Sequence, residues 1–504
     1  MKTQNNLLAS VLLAAGIISS PIISYAADSK ELEDLRAQIE ELKQSVKVLD
    51  RKGELAEESA AAKKKETPVV KAGDGFGFKS ADGQHEIKFK ALAQIDYRGF
   101  LDDGSDTKNT SGFDFRRIRP SVEGTVYGIY DFKFTPEFGE NKTGTGTSTG
   151  TSSTQNSFKG NSGIVDAWVD AKFQTWFQVQ AGKLKPDIGL ERLQSGSNIK
   201  LIERSWVSNS ILPNRDLGIN VHGDFFDNKL HYGAGLFNGV VDGGDNVTTQ
   251  DSNSNKEVAL RLFATPFKDQ VNLLQGLGFG IAGTYAHSNG AGNGPTNPNS
   301  VTGLPSDIKT PGQQAALITY FAGTSSTNSA QQAGNKIRWT PQLYYYNGSL
   351  GLLGEYAQSR FDVLSGAGGF RANGVENDAW HITGSWLVTG ENASFGSVKP
   401  KNAYNPNGSG WGAWEIVARY QEINVDDKLF AQNGPGNTYL SSATQSKSAQ
   451  AWALGVNWYL NNNVKIAANY EDTNFDDSVS GATLATAVSR PNERSLFTRL
   501  QLSY

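Results

Sequence analysis

Residues 87–98 read IKFKALAQIDYR, and every second position from Ile87 to Tyr97 carries an apolar side chain. The positions between them carry mostly charged or amide side chains. This period of two is that of a β-strand whose two faces meet different surroundings. A soluble sandwich would bury the apolar face in a core, whereas a membrane barrel would turn it to lipid and turn the polar face to a water-filled lumen. The number and spacing of such segments distinguish these architectures.

The alternation recurs along the chain to its last residue. Sixteen segments follow this pattern, at residues 87–97, 115–127, 130–138, 164–173, 176–183, 217–225, 229–237, 256–264, 277–285, 336–346, 349–356, 379–387, 413–421, 449–459, 464–471 and 494–504. From Gly73 onward this allows about 27 residues for each strand with its connection, which suits a barrel of this strand number. Aromatic residues near the strand ends are expected to form girdles at the two membrane interfaces.

The connections between the segments largely alternate in length. Gln174-Thr175 is a tight turn, whereas residues 286–335 form a long polar connection. Short turns at one end and long loops at the other are typical of outer-membrane barrels. Residues 265–276 and 388–412 are exceptions, because they are long connections on the expected short side.

We therefore predict an all-β fold, a 16-stranded antiparallel transmembrane β-barrel over residues 73–504. The final strand supports this, because it alternates and ends on the aromatic residue Tyr504, as the last strands of bacterial outer-membrane barrels do. A soluble all-β protein of sixteen strands is the alternative.

The N-terminus predicts export from the cytoplasm. Lys2 precedes a mostly apolar run at residues 7–23, and Ser24-Tyr25-Ala26 forms a small-x-small cleavage site, so we expect a signal peptide over residues 1–26. An N-terminal membrane anchor is the alternative. Beyond residue 23 no apolar run approaches the roughly 20 residues that a transmembrane helix needs, so any further crossing of a membrane would use strands.

Residues 27–72 are expected to be a periplasmic coiled coil and linker. Apolar residues are spaced alternately by three and four at Leu32, Leu35, Ile39, Leu42, Val46 and Leu49. A stripe this narrow is typical of coiled-coil seams, and a single amphipathic helix lying on the protein's own body is the alternative. The residue types favour a dimer, but three heptads do not fix the number of helices. Past Gly53 the stripe fades into an alanine-rich and lysine-rich linker.

Composition excludes several classes of function. The chain has no cysteine and a single methionine, Met1, so thiolate metal sites, disulfides and cysteine nucleophiles are absent. A formal net charge of -4 argues against a general nucleic-acid partner. None of the five histidines lies in a recognisable arrangement with a nucleophile motif, so we expect no enzyme, and no metal or cofactor is expected.

Basic residues on the polar faces predict a solute path. Rings of Arg and Lys make anion pathways, whereas rings of Asp and Glu make cation pathways. The third long connection, at residues 184–216, is rich in charge and in apolar residues, so we expect it to fold into the lumen as a constriction. The candidate pore residues are Arg117, Arg119, Lys133, Lys183, Lys185, Arg192, Lys200, Arg204 and Arg215. For the six bases from Lys183 to Arg215, the alternative is that they pair with the four acids of the connection and only pin it to the wall.

Several stretches resemble one family, the phosphate-selective porins O and P. They include RRIRP at residues 116–120, AGKLKP at 181–186, GLERLQS at 189–195, PNRDLG at 213–218 and QLYYYNG at 342–348. The resemblance implies a homotrimer of sixteen-stranded barrels in the bacterial outer membrane, each with its own pore and an inward third loop. Its implied partners are small anions such as phosphate and the lipid of the outer membrane.

The sequence thus predicts an outer-membrane porin for passive diffusion of small anions, and the resemblance adds phosphate as the expected solute. A general or sugar-type diffusion porin, with an aromatic track in the lumen, is the alternative. An outer-membrane enzyme and an adhesin or structural anchor are the other classes considered. Net charge does not separate these hypotheses, because acids slightly outnumber bases in the barrel region.

Overall fold

The structure is a computed structural model, and we refer throughout to the residues that it describes. These are residues 29–66, 68–73, 75–103, 109–139, 163–245, 255–289, 306–321, 329–365, 369–432, 439–481 and 483–504. The signal peptide expected over residues 1–26 lies outside them. The described residues form two compact units, one of which ends at Thr67 while the other begins at Pro68.

The described residues of the first unit form one long helix, α1, at Ser29–Glu66. Its apolar stripe is exposed along the helix: Leu35 and Leu42, for example, are 59% and 65% exposed. The helix continues through the alanine-rich and lysine-rich residues after Gly53 to Glu66. Alanine, lysine and glutamate dominate this stretch, and all three are strong helix formers. No described helix is both long enough and apolar enough to cross a membrane.

The second unit is a closed antiparallel barrel. Its sixteen strands are β1 Glu86–Asp103, β2 Gly112–Val126, β3 Tyr130–Glu137, β4 Gly163–Gln174, β5 Phe177–Leu184, β6 Asp216–Phe225, β7 Leu230–Phe237, β8 Glu257–Ala264, β9 Leu277–Asn289, β10 Gln331–Asn347, β11 Leu350–Leu364, β12 Arg371–Leu387, β13 Ala413–Asn424, β14 Gln445–Tyr459, β15 Val464–Ser480 and β16 Glu493–Ser503. Each pairs with its neighbour, and β16 pairs with β1. The predicted sixteen-stranded barrel is therefore confirmed.

The pairing of β1 with β16 shows how the alternation serves the two faces. Arg499 lies opposite Asp96, and the two side chains form an ion pair of 2.6 Å inside the barrel. The next residues in register, Leu500 and Ile95, point outward and are 49% and 38% exposed. Apolar side chains at alternate positions thus present a face suited to lipid, and polar side chains line the inside.

Aromatic residues form outward-facing pairs near both ends of the wall. Trp380 packs against Tyr420 with ring centroids 5.4 Å apart, near the end that carries the long connections. Trp414 stacks on Trp458 at 5.0 Å, near the end with the short turns. Amphipathic rings at these two levels are typical of the interfacial girdles of membrane barrels.

Several short elements are present in addition to the sixteen strands. A hairpin of strands Val69–Gly73 and Gly75–Lys79 pairs with the first residues of β1, and strands Ile308–Lys309 and Ala316–Ile318 pair with each other. The remaining short elements are a helix at Leu190–Leu193, a π-helical turn at Val207–Ile211, a 3₁₀ turn at Asp427–Phe430 and a strand at Thr486–Ala487. Several of these elements lie inside the barrel or over its mouth.

Part of the connection at residues 388–412, which is too long for the short-turn side, folds into the barrel. The ring of Phe395 stacks on Tyr344 with centroids 5.6 Å apart, and Val398 is buried beside Tyr459. The later residues, 401–409, are exposed. The extra length of this connection is therefore partly taken up inside the lumen.

Candidate functional site: a constriction inside the barrel

Loop 3, residues 185–215, folds into the lumen as predicted. Its short helix begins at Leu190, where the carboxylate of Glu355 on β11 accepts the backbone N–H groups of Leu190 and Glu191 at 2.6 and 2.9 Å. A carboxylate at this position satisfies N–H groups that the helix itself leaves unpaired. Lys200 is held to Glu415 of β13 at 2.8 Å, which is a second connection between loop 3 and the barrel wall.

The loop lies against one side of the lumen. Along strands β11–β15, which we call the packed wall, nearly every second residue is buried. Along strands β2–β5, which we call the open wall, most of the corresponding residues are only partly buried. The free lumen therefore lies between loop 3 and the open wall.

A second segment covers loop 3 from the side of the long connections. The indole N–H of Trp206 donates to the carbonyl of Lys309 at 2.8 Å, and Arg98 donates to the carbonyl of Gly312 at 3.0 Å. Trp206 belongs to the largest apolar cluster, which joins loop 3 to residues 306–321 and to the packed wall. This packing fixes the loop over much of its length.

Four cations on loop 3 are held in pairs by neutral oxygens, and we call them the basic cluster: Lys185, Arg192, Arg204 and Arg215. Lys185 and Arg204 both donate to the backbone carbonyl of Gln194, each at 2.8 Å. Arg192 and Arg215 both donate to the side-chain oxygen of Asn214, at 3.0 and 3.2 Å. Each pair of cations is thus brought close together by one shared acceptor.

Three members of the basic cluster lack a carboxylate partner. Among the described residues, Lys185, Arg192 and Arg204 bond to carbonyl and amide oxygens and form no ion pair. Burial, together with the fields of Arg204 and Arg215, holds the pKa of Lys185 well below its usual value. Burial likewise lowers the pKa of Arg192 to about 10. Such uncompensated positive charge costs stability and is typical of functional sites.

Other predicted pore residues are neutralised by carboxylates. Arg119 pairs with Glu137 at 2.5 Å and Lys133 with Glu123 at 3.7 Å, both inside the open wall. Arg215 of the basic cluster also pairs with Asp166 at 2.9 Å, and Lys200 pairs with Glu415. All four acids lie on strands of the barrel wall, so these bases are neutralised by the wall and not by the acids of the connection.

The two remaining predicted residues differ from each other. Arg117 lies inside, where it donates to the side-chain oxygen of Gln94 at 2.6 Å, and its Nε has no partner among the described residues. Lys183 pairs in register with Ala167 and Leu217, whose face points away from the lumen. The structure therefore does not bring Lys183 to the basic cluster.

Arg116 also enters the lumen, although strict alternation places it outside. A register shift between Gln94 and Ile95 leaves Arg116 without a partner on β1, and such a bulge turns two consecutive side chains to the same side. Its guanidinium then forms two hydrogen bonds to Glu203, at 2.6 and 3.1 Å. The signal is present in the sequence, because the outward apolar positions switch from odd numbers at Phe115 to even numbers at Ile118.

One group of side chains in this region has the composition of a metal site. Ligand atoms of Glu191, Glu355 and His381 lie within 4.8 Å of one another. Both carboxylates are already engaged, Glu355 by backbone N–H groups and Glu191 by Ser205, whose backbone N–H donates at 2.9 Å and whose hydroxyl donates at 2.6 Å. Burial opposes ionisation of Glu191, but Arg419 and the neighbouring groups outweigh it and bring its pKa to about 2. These contacts anchor loop 3.

A closed sixteen-stranded barrel whose lumen is narrowed by an inward, charge-rich loop defines a channel of the porin class. The family model of the phosphate-selective porins O and P matches residues 87–504. The chain therefore belongs to the phosphate-selective porin O and P family, and it is a protein of the bacterial outer membrane. Membership identifies a channel rather than an enzyme.

Individual relatives cover most of the chain. Porin O of Pseudomonas aeruginosa is 25% identical over 438 residues, which make up 81% of this chain and 87% of that protein. Among solved structures, the anion-selective porin from Comamonas acidovorans is 12% identical and covers 83% of this chain and 100% of its own, with a TM-score of 0.47. The trimer form of OmpT from Vibrio cholerae is 10% identical and covers 83% and 99%, also with a TM-score of 0.47.

Proposed function

We propose that the barrel conducts small anions by passive diffusion through the space between loop 3 and the open wall, and that inorganic phosphate is its preferred solute. The observation that carries the proposal is the sharing of neutral oxygens by cations. Because Lys185 and Arg204 both donate to the Gln194 carbonyl, their positive charges lie close together, and neither forms an ion pair with a carboxylate among the described residues.

Such an arrangement suits an anion better than a neutral solute. Lysine supplies a point charge, and a guanidinium can present two parallel N–H groups to phosphate oxygens. Low-dielectric walls around a narrow aqueous path focus the field, so the local charge of the basic cluster matters more than the slight excess of acids in the barrel as a whole. The kinship with Porin O of Pseudomonas aeruginosa and with its family supports the same solute class.

Planar-bilayer recording tests this function. Reversal potentials under a potassium chloride gradient should show a preference for chloride, and added phosphate should reduce the chloride current as it occupies the constriction. The double variant Lys185→Gln/Arg204→Gln should lose about tenfold in the anion-to-cation permeability ratio, because two focused charges are removed.

Lys133→Gln is the matched control, because Lys133 lies on the open wall and faces the same lumen but is already paired with Glu123. It should retain most of the anion preference. A wild-type channel that prefers potassium over chloride would contradict the proposal, and equal effects of the control and the double variant would assign the selectivity elsewhere.

A general or sugar-type porin remains the second candidate, because aromatic side chains also line the lumen. Tyr344 and Tyr346 pack against Phe395 of the inserted segment 388–412, and all three rings are partly exposed. Aromatic faces can stack on sugar rings. Block of the current by sugars at concentrations where phosphate has no effect would favour this candidate.

The assembly is proposed to be a homotrimer joined through α1. The exposed stripe of Leu32, Ile39 and Leu49 on a single helix supports pairing with copies of itself, because such a seam is otherwise left in water. The outward apolar face of the barrel is proposed to contact membrane lipid. Chemical cross-linking of the full chain should yield trimers, and deleting residues 29–66 should weaken them.

A further inference from the structure

Nearer the end of the barrel that carries the short turns, one histidine connects loop 3 to the barrel wall. The Nε2 atom of His231 on β7 lies 2.6 Å from Oδ2 of Asp187 on loop 3. Its Nδ1 atom lies 3.0 Å from Oδ1 of Asp224 on β6. Both nitrogens of one imidazole therefore face carboxylate oxygens that belong to different parts of the fold.

Only one protonation state satisfies both contacts. A neutral imidazole carries one N–H group and one lone pair, whereas the imidazolium carries two N–H groups. In the neutral form one carboxylate would face a lone pair at hydrogen-bonding distance, which is repulsive. The geometry therefore fits a protonated His231.

A glycine in the barrel wall leaves space for the side chain of Asp187. A Cβ atom on Gly233 would lie 2.5 Å from Oδ2 of Asp187, so only glycine leaves room for the carboxylate. Arg261 of β8 donates to the other oxygen of Asp187 at 3.2 Å. The side chain of Asp187 is thereby fixed two residues from Lys185.

The remaining titratable neighbours belong to the same wall. His222 of β6 lies 6.4 Å from His231 between ring centroids, and its Nε2 atom lies 3.1 Å from Asp170 of β4. With His231 protonated, its charge and that of Arg261 balance the two carboxylates of Asp187 and Asp224. Loss of the proton leaves this group with one net negative charge beside the constriction.

We propose that His231 is a positioning residue that acts as a proton-operated latch. When it is protonated, it holds the start of loop 3 to β6 and favours anion passage. When it is deprotonated, it releases this contact and opposes anion passage. The inference rests on the proposed anion function. It adds that the selectivity of the pore depends on pH through one named side chain.

The test is the chloride preference of the full-length channel from about pH 5 to about pH 9, a range that spans histidine titration. Chloride is used because it does not itself titrate. We expect the anion-to-cation permeability ratio to fall about twofold in one single-proton step, because one charge near the path is lost. Because the pKa of Lys185 is also lowered, the comparison is made in a Lys185→Gln background, where that side chain cannot titrate. In His231→Gln on this background the step should be absent, and the ratio should stay at the background's alkaline value.

Two further variants separate the latch from other effects. His222→Gln should retain the step, because His222 is not part of the bridge. Asp224→Asn should move the step to lower pH, because one of the two carboxylates that stabilise the imidazolium is removed. Heat-modified gel migration of each variant confirms that the barrel has formed.

The outcomes distinguish the latch from the proposed function. A flat pH profile in a wild-type channel that still prefers chloride, or a step that persists in His231→Gln, overturns the latch alone. A channel with no anion preference at any pH overturns the proposed anion function.

Discussion

The two sides of loop 3 treat charge in opposite ways. Where the loop meets the packed wall and β1, most buried cations pair with a carboxylate, as Lys200 does with Glu415 and Arg98 with Glu203. Lys465, which donates to loop carbonyls, is an exception. Between loop 3 and the open wall, Lys185, Arg192 and Arg204 rest on neutral oxygens. An ion pair holds two parts of the fold together, whereas a cation without a carboxylate partner attracts anions in the lumen. One loop therefore combines an anchoring side with a conducting side.

The largest effect is expected from breaking a pair on the anchoring side. Glu203 is 1% exposed and accepts hydrogen bonds from both Arg98 and Arg116 at 2.6 Å. Glu203→Gln removes the carboxylate that the two buried guanidinium groups share, and Arg98 retains only the longer contacts to Asp96 at 3.4 Å and Asp114 at 3.8 Å. The free energy of unfolding should therefore fall by about 3–5 kcal/mol. Urea titration of the barrel in lipid vesicles measures this. A change below about 1 kcal/mol would show that the anchors contribute little.

The conducting side should respond in the opposite direction. Lys185→Met removes a buried cation that has no carboxylate partner among the described residues, while it keeps much of the side chain's volume. The free energy of unfolding should stay the same or rise by about 1 kcal/mol, and the preference for chloride should decrease. The same urea titration and reversal potentials measure both. A clear loss of stability would mean that Lys185 is a structural residue.

The effect of Lys185→Met on the free energy of unfolding should depend on pH. The pKa of Lys185 is well below its ordinary value in the folded protein, so at intermediate pH the unfolded chain binds more protons than the folded one. The contribution of Lys185 to stability therefore rises with pH, from the lowered folded pKa up to about 10.4 in the unfolded chain. The stability advantage of Lys185→Met should be largest at low pH and should shrink across this window. An advantage that grows with pH would contradict the assignment.

Much of the fold follows from the sequence, because strand pairing and lipid contact both impose a period of two. Each of the sixteen alternating segments corresponds to a strand of the barrel. The inward course of loop 3 also follows, because its apolar and charged residues are unsuited to an exposed loop. The insertion of residues 388–412 does not follow, because it depends on contacts such as that between Gln194 and the Phe395 carbonyl, which only the folded lumen brings together.

The site is less predictable than the fold. Residue type places bases in the lumen, but pairing depends on which acid the opposite strand supplies, as with Arg119 and Glu137. Alternation also fails at Arg116, where a bulge changes the phase, and it does not place Lys183 inside. Selectivity is expected to depend on the bases that remain unpaired, and a list of charged residues does not identify them.

The smallest effect is expected where a pair lies on the open wall. Lys133 and Glu123 approach to 3.7 Å with side chains that are 31% and 23% exposed, so water already screens their attraction. Lys133→Gln should therefore change the free energy of unfolding by less than about 1 kcal/mol, against several for Glu203→Gln. The urea titration used for Glu203→Gln measures both changes. If the two variants were equally destabilised, burial would not explain the difference between the two ion pairs, and the open wall would have to be regarded as a second anchor.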